Sequence, residues 1–410
     1  MSTDIPAPRR LKERINSVDL VRGIVMIIML LDHVRDYVHA GGLTNDPTNL
    51  TKTNAALFFT RWITHFCAPT FVFLAGTSIY LQRMRGKSES ELTRFLVTRG
   101  LWLIFLEFTV VRFSLFFNFD YSFFGIAEVI WVFGVSMIVL AALIHLPVKA
   151  VAAIGVAIIA LHNLLDGIQV PPAVAFAGTP PPDLLQSLWL FLHQTGFVPL
   201  FGGATKILTG YPVLAWIGVM AAGYALGAAY EFDAARRRKL FLRLGGACVA
   251  LFIVLRAINI YGDPAVWASQ DTPLFTLLSF MNTTKYPPSL LFLLMTLGPS
   301  LIVLGLADGA DGKGILQRIA ITYGRVPLFY FILQMFYAHA AGVVLGMLAG
   351  KDVGYLFLNP EGWTTAPPDN GFPLWVAYLA WIAGLVLLYP ICVWYGNYKR
   401  RSGHWLLSYL

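Results

Sequence analysis

The chain has 410 residues, of which 57% are hydrophobic and only 13% charged, and its mean hydropathy is +0.66. Soluble domains carry about 25% charged residues, so this composition excludes a large soluble domain and indicates a polytopic membrane protein. The formal charge of +8 does not indicate nucleic acid, because the basic residues lie in short segments between apolar runs, as membrane topology requires.

Ten apolar segments read as spans of an all-α, polytopic bundle: about 18–38, 62–82, 96–117, 125–146, 148–166, 211–229, 240–258, 287–307, 321–348 and 373–396. With the N-terminus inside, the inner segments carry 20 Lys and Arg, Arg9, Arg10, Lys12 and Arg14 among them. The outer segments carry five, namely Lys52, Arg61, Lys206, Lys285 and Lys351. That asymmetry places both termini in the cytoplasm. No A-x-A site follows the first apolar run, which is therefore expected to be a retained span. The expected organisation is a cytoplasmic segment over 1–17, one transmembrane domain over 18–396 and a cytoplasmic tail over 397–410.

The first span, within RINSVDLVRGIVMIIMLLDHVRDYVH (Arg14 to His39), is the default functional element. On a helix, Asp19, Arg22, Met26, Met29, His33 and Asp36 fall within about a 100° arc, and charges leaning to one side of a membrane helix must face protein or water. At its inner end, Asp19 and Arg22 stand one turn apart. They read either as a helix-start ion pair or as the mouth of a site for an anionic cosubstrate, since an Arg fork suits phosphate. At its outer end, Asp32, His33, Arg35 and Asp36 cluster. His33 is the expected general base, with Asp36 one turn away to orient it, and Asp32 points elsewhere toward Arg35.

The second span offers His65 as a further member of the outer cluster, while Gly76, Thr77 and Ser78 read as a packing surface. Glu107, Arg112 and Glu128 read as ion pairs across helices, and Arg256 as similar. Arg325, at the inner end of the ninth span, is either a snorkelling residue or a second anion ligand. In the long outer loop 167–210, SLWLFLHQTGFVPLFGG reads as a re-entrant or interfacial helix. Cys67, Cys248 and Cys392 are odd in number and form no CxxC, which opposes a disulfide framework or zinc site. No paired-histidine haem signature, P-loop, dinucleotide fingerprint or HExxH is present, so no metal is expected.

The runs RINSVDLVRGIVMIIMLLDHVRDYV and THFCAPTFVFLAGTSIYL resemble the catalytic domain of the heparan-α-glucosaminide N-acetyltransferase family, particularly its bacterial members. YPVLAWIGVMAAGYALG, KYPPSLLFLLMTLG and YGRVPLFYF extend the resemblance over most of the chain. It departs at His33, where the lysosomal members carry Asn and place their histidine in the first lumenal loop. The LDH here looks more like the histidine of the wider membrane acyltransferase superfamily. The resemblance implies acetyl-CoA or another acyl-CoA as donor and a glycan or aminosugar as acceptor, in a bacterial inner membrane.

The combined expectation is an acyltransferase with His33 and Asp36 catalytic and Asp32, Arg35 and His65 holding the acceptor. Arg22, Asp19, Arg325 and Arg99 are expected at the acyl-CoA. The expected partners are the donor, the sugar acceptor and the bilayer, with no nucleic acid, and nothing opposes a homo-oligomer. The alternative is a transporter or translocator of a sugar or lipid-linked substrate that uses the same polar cluster.

Overall fold

A computed structural model describes residues 15–402, 404 and 407. Most of the expected cytoplasmic segment, with Arg9, Arg10, Lys12 and Arg14, and part of the expected tail lie outside the described residues. The chain is mostly helical. Its helices are α1 (Asn16–Val38), α2 (Ala55–Thr64), α3 (Cys67–Met84), α4 (Glu89–Leu106), α5 (Arg112–Phe116), α6 (Val129–Leu143), α7 (Val148–Leu161) and the short α8 (Pro172–Ala175). They continue with α9 (Leu184–Leu192), α10 (Leu214–Leu226), α11 (Ala234–Ile258), α12 (Pro273–Met281), α13 (Leu290–Leu306), α14 (Ile315–Arg325), α15 (Pro327–Leu348) and α16 (Leu374–Ser402).

Local chemistry sets several of these boundaries. Ser88 and Glu91 form a reciprocal capping box at the start of α4, and Asp183 and Gln186 do the same for α9. Asn259 closes α11 in the left-handed conformation that Asn tolerates. The segment 321–348, expected to be one span, is two helices. Val326 leaves the helical region (φ −128°, ψ 49°) because the proline that follows disfavours it there, and Pro327 then starts α15. The segment 62–82 likewise breaks at His65 and Phe66, between α2 and α3.

Five helical segments are long and apolar enough to cross a membrane: Ala55–Met84, Val148–Leu165, Ala234–Ile258, Pro327–Leu348 and Leu374–Ser402. Only 22% of the apolar stretch in the second and third of these is buried in the protein. Val156, Leu251, Ile253, Val254 and Val386 all point outward. An apolar surface of this extent belongs in lipid. α1 carries Asp19, Arg22, Asp32, Arg35 and Asp36 and is not one of the five. It is instead the interior helix, packed on α2, α3, α13, α14, α15 and α16.

α1 meets α14 backbone to backbone. A Cβ on Gly23 would lie 1.7 Å from the Ala320 carbonyl oxygen, and one on Gly324 would lie 1.9 Å from that of Asp19. Further along, Trp381 of α16 donates to the Ile27 carbonyl (2.8 Å) and the Tyr37 hydroxyl to that of Leu115 (2.7 Å).

The loop 167–210 corrects the expectation of a single interfacial helix. Within SLWLFLHQTGFVPLFGG the α-helix ends at Leu192, and the chain continues into strand β2 (Phe197–Leu200), with β3 (Thr205–Leu208) following. β3 pairs antiparallel with β2 and parallel with β1 (Gly125–Ile126), in the order β1-β3-β2. Asp166 ties this layer to the bundle. His193 Nε2 lies 2.9 Å from its Oδ1, and the Asn163 amide donates to its Oδ2 at 2.8 Å, while Asn163 Oδ1 accepts from the Leu290 N–H.

Two outcomes follow from these contacts. Gly23→Leu has no space to occupy and should lower the unfolding temperature sharply, by the equivalent of about 3 kcal/mol or more, in a detergent thermal-unfolding assay. Burial acts to raise the Asp166 pKa, but the hydrogen bonds from His193 and Asn163 outweigh it and hold the carboxyl below the usual range. Its contribution to stability is therefore complete above the ordinary Asp pKa of about 3.9. It is lost as pH falls below that value through the lower folded one. Asp166→Asn should make the drop in unfolding temperature as pH falls below about 4 shallower than in wild type.

Candidate active site

At the end of the bundle where α1 begins, a cavity of about 580 Å³ opens between α1, α3, α4, α6 and the start of α15. Its rim carries five basic side chains, Arg22, Arg85, Lys87, Arg99 and Lys399, against one carboxylate, Asp19. Its inner wall is apolar, with Phe71, Ala75, Leu103, Ile130, Phe133 and Met137. A polyanion with an apolar or neutral arm fits such a lining, since clustered cations focus negative charge at the mouth.

Arg22 is fixed before any ligand arrives. It donates to the Gly324 carbonyl (3.3 Å) and to Ser78 Oγ, and pairs with Asp19 at 3.4 Å. Asp19 also faces Arg325 Nε at 3.7 Å. Arg22, Asp19 and Arg99 thus come together at this cavity. Arg325 does not line it; it sits behind Asp19 with its guanidinium donating to Asn16 Oδ1 (3.3 Å). Lys87 and Arg99 flank the Phe95 ring at 4.5 and 5.8 Å from its centroid.

The second cluster lies where α1 ends. Asp32 is the shared anion: its Oδ1 is 3.1 Å from Arg35 and its Oδ2 accepts from Arg61 at the end of α2. Arg61 also donates to the Tyr286 hydroxyl at 3.2 Å. Lys285 lies over the Tyr211 and Tyr286 rings, at 5.7 and 5.1 Å. His33, on the same turn of α1 as Asp32, meets Phe331 of α15 edge to face at 6.0 Å. His65 meets Phe292 at 5.4 Å. Asp32, Arg35, Arg61 and Lys285 act electrostatically on both imidazoles. Glu128, at the N-terminus of α6, feels Asp36, Lys285, Arg61 and Asp32.

Two expectations are corrected here. Asp36 binds Arg35, not His33, and His33 Nδ1 has no hydrogen-bond partner among the described residues. The neighbouring guanidinium offers that carboxylate a charge-assisted bond, which outcompetes a neutral imidazole. Among the described residues, Glu107, Arg112 and Glu128 form no ion pairs across helices. Glu107 accepts from the Trp131 N–H (2.6 Å) and so caps α6, where a carboxylate suits the helix dipole. Arg112 donates to the carbonyls of Asn118 (2.6 Å) and Phe123 (3.3 Å). Arg256 clamps a loop in the same way, through the carbonyls of Ala265, Ser279, Phe280 and Asn282.

A family model described as heparan-alpha-glucosaminide N-acetyltransferase, catalytic, matches residues 14–261. The chain belongs to this family. The match covers well over half of the sequence and runs from α1 to the end of α11, taking in most of the cavity and all of the polar residues on α1. No match is found among curated proteins. Membership of the N-acetyltransferase family makes the chain a membrane acyltransferase. Arg85, Lys87 and Lys399 in the cavity, and Arg61, Glu128, Lys285 and Tyr286 in the far cluster, did not stand out as site residues in the sequence. Arg61 and Lys285 carried one signal: they are two of only five Lys and Arg residues in the outer segments.

Asp32→Asn would leave the Arg35 and Arg61 guanidiniums without their shared anion. Breaking a buried pair costs about 3–5 kcal/mol, so this variant should unfold at a clearly lower temperature than wild type. The double variant Asp32→Asn, Arg61→Gln should recover part of the loss.

Proposed function

We propose that the protein transfers an acetyl or other short acyl group from cytoplasmic acyl-CoA to a glycan or aminosugar on the opposite side of a bacterial inner membrane. The observation that carries this reading is the basic-rimmed, apolar-walled cavity at one end of α1, with an imidazole cluster at the other. In this reading ten segments span the bilayer, both termini are cytoplasmic, and residues 18–396 act as one catalytic domain.

Arg22, Arg85, Lys87 and Arg99 hold the phosphates of the donor. Arg22 and His33 are eleven residues apart on α1, hence about 16 Å along its axis, a span an extended pantetheine arm can bridge. His33 takes a proton from the acceptor hydroxyl or amine, whose oxygen or nitrogen bonds to the thioester carbonyl carbon. The C–S bond then breaks, and the departing thiolate recovers the proton from His33. An acyl-imidazole intermediate on His33 would divide the same transfer into two steps. Asp32 and Arg35 hold the acceptor side in place, with His65 at its edge. Asp36 acts through Arg35.

The test is thermal unfolding and CoA-thiol release with acetyl-CoA, on protein purified in detergent. A hundredfold excess over Kd stabilises a protein by about 2.7 kcal/mol, so a clear rise in unfolding temperature is expected. His33→Ala should keep that rise and lose thiol release by about a hundredfold or more. Folded wild-type protein that no CoA ester stabilises would remove the enzyme reading and favour a transporter.

A further inference from the structure

α15 carries two buried polar side chains with no hydrogen bond among the described residues, Tyr330 and Gln334, and Gln334 leaves two polar atoms unsatisfied where Tyr330 leaves one. Gln334 is fully buried, and neither its amide nitrogen nor its amide oxygen finds a hydrogen bond among the described residues. Its neighbours on the buried face of α15 include Tyr330, Phe331, Met335 and Ala338, and the Tyr330 hydroxyl, one turn back, makes no hydrogen bond to it. Such a group is retained at a cost unless something else satisfies it.

Its position says what that could be. α1 and α15 lie side by side, fixed by two contacts. His33 meets Phe331 edge to face, and Tyr37 stacks on His339 with centroids 4.5 Å apart. Gln334 is one turn beyond Phe331, between these two contacts along α15. On α1, the stripe from Arg22 to His33 passes through Met26 and Met29, which are 0% and 5% exposed. The cavity reaches Arg22 but neither methionine. Two unbranched, rotatable side chains therefore fill the path from the basic rim to His33, and such side chains can move aside for a narrow chain.

Building on the acyl-CoA reading above, we infer that Gln334 is a catalytic residue whose side-chain N–H donates to the thioester carbonyl oxygen once the donor arm has displaced Met26 and Met29. The carbonyl oxygen gains negative charge as the acceptor attacks. A buried, preorganised amide stabilises it without reorganising, which accounts for an amide held unpartnered in the resting protein.

The experiment compares wild type with Gln334→Leu and Gln334→Met, using acetyl-CoA as donor, glucosamine as acceptor probe, and free CoA as a ligand that lacks the carbonyl. Both variants remove an unpartnered buried amide at nearly constant volume, so their unfolding temperature without ligand should equal or exceed that of wild type. Thermal stabilisation by free CoA should be unchanged, while kcat with acetyl-CoA falls about a hundredfold. A kcat within threefold of wild type in either folded variant overturns the assignment, as does loss of folding or of CoA stabilisation in both, which would make the amide structural. Folded wild type that neither binds nor turns over acetyl-CoA sinks the acyl-CoA reading itself, and the assignment with it. That result is distinct, because it appears before any variant is made.

Discussion

A carboxylate shared by two arginines, Asp32 between Arg35 and Arg61, holds the end of α1 against the end of α2. The constraint behind it is general: a helix with five charged residues cannot sit in an apolar interior unless each charge has a counter-charge or a polar host. α1 meets that demand at both ends and stays apolar in between. Arg35 Nη2 reaches Asp36 as well as Asp32, and Arg61 uses one terminal nitrogen for Asp32 and the other for the Tyr286 hydroxyl. Amid this network, His33 Nδ1 is left without a hydrogen-bond partner among the described residues.

The two ends of α1 differ in charge balance, and the difference is chemical. Around the first turn, the cavity has a strong excess of cations, an environment that favours phosphate. Around the last turn, Asp32, Asp36 and Glu128 face Arg35, Arg61 and Lys285 in equal number, so the region is polar without strong net charge. That balance suits a neutral hydroxyl or amine better than an anion. One helix thus joins a cation-rich cavity to a charge-balanced polar cluster.

Much of this was legible in the residues. Apolar runs of span length located the main helices, and the Asp19–Arg22 and Asp32–Asp36 groups marked both ends of the functional helix. What sequence spacing could not show was which partner each charge would choose. Helical geometry puts Asp36 one turn from His33, yet the adjacent Arg35 competes for the same carboxylate, and spacing alone does not rank the two. Arg112, Arg256 and Glu107 look like ion-pair residues because charges in apolar runs usually are. Their actual partners are backbone groups, at the first turn of α6 for Glu107, at the end of α12 and the adjoining loops for Arg256 and in the loop after α5 for Arg112, and such partners leave no signature. The strands of the 167–210 loop were hidden for a related reason: β1 is two residues long, and its pairing with β3 is tertiary.

The backbone of His39 and Ala40 runs beside Phe372, with the Ala40 N–H bonded to the Phe372 carbonyl (2.9 Å) and the Phe372 N–H to that of Val38 (2.8 Å). The exit of the first helix is thereby stitched to the entry of the last. Together with α14, α15 and α16, this seam places the sequence-distant third of the chain directly against α1. The region that carries the family signature is consequently not a self-sufficient module. A fragment ending near residue 261 would retain the recognisable motifs but strip α1 of four neighbours, α13 to α16, leaving its charges to lipid. In this architecture, the signature and the scaffold that houses it fold as one piece.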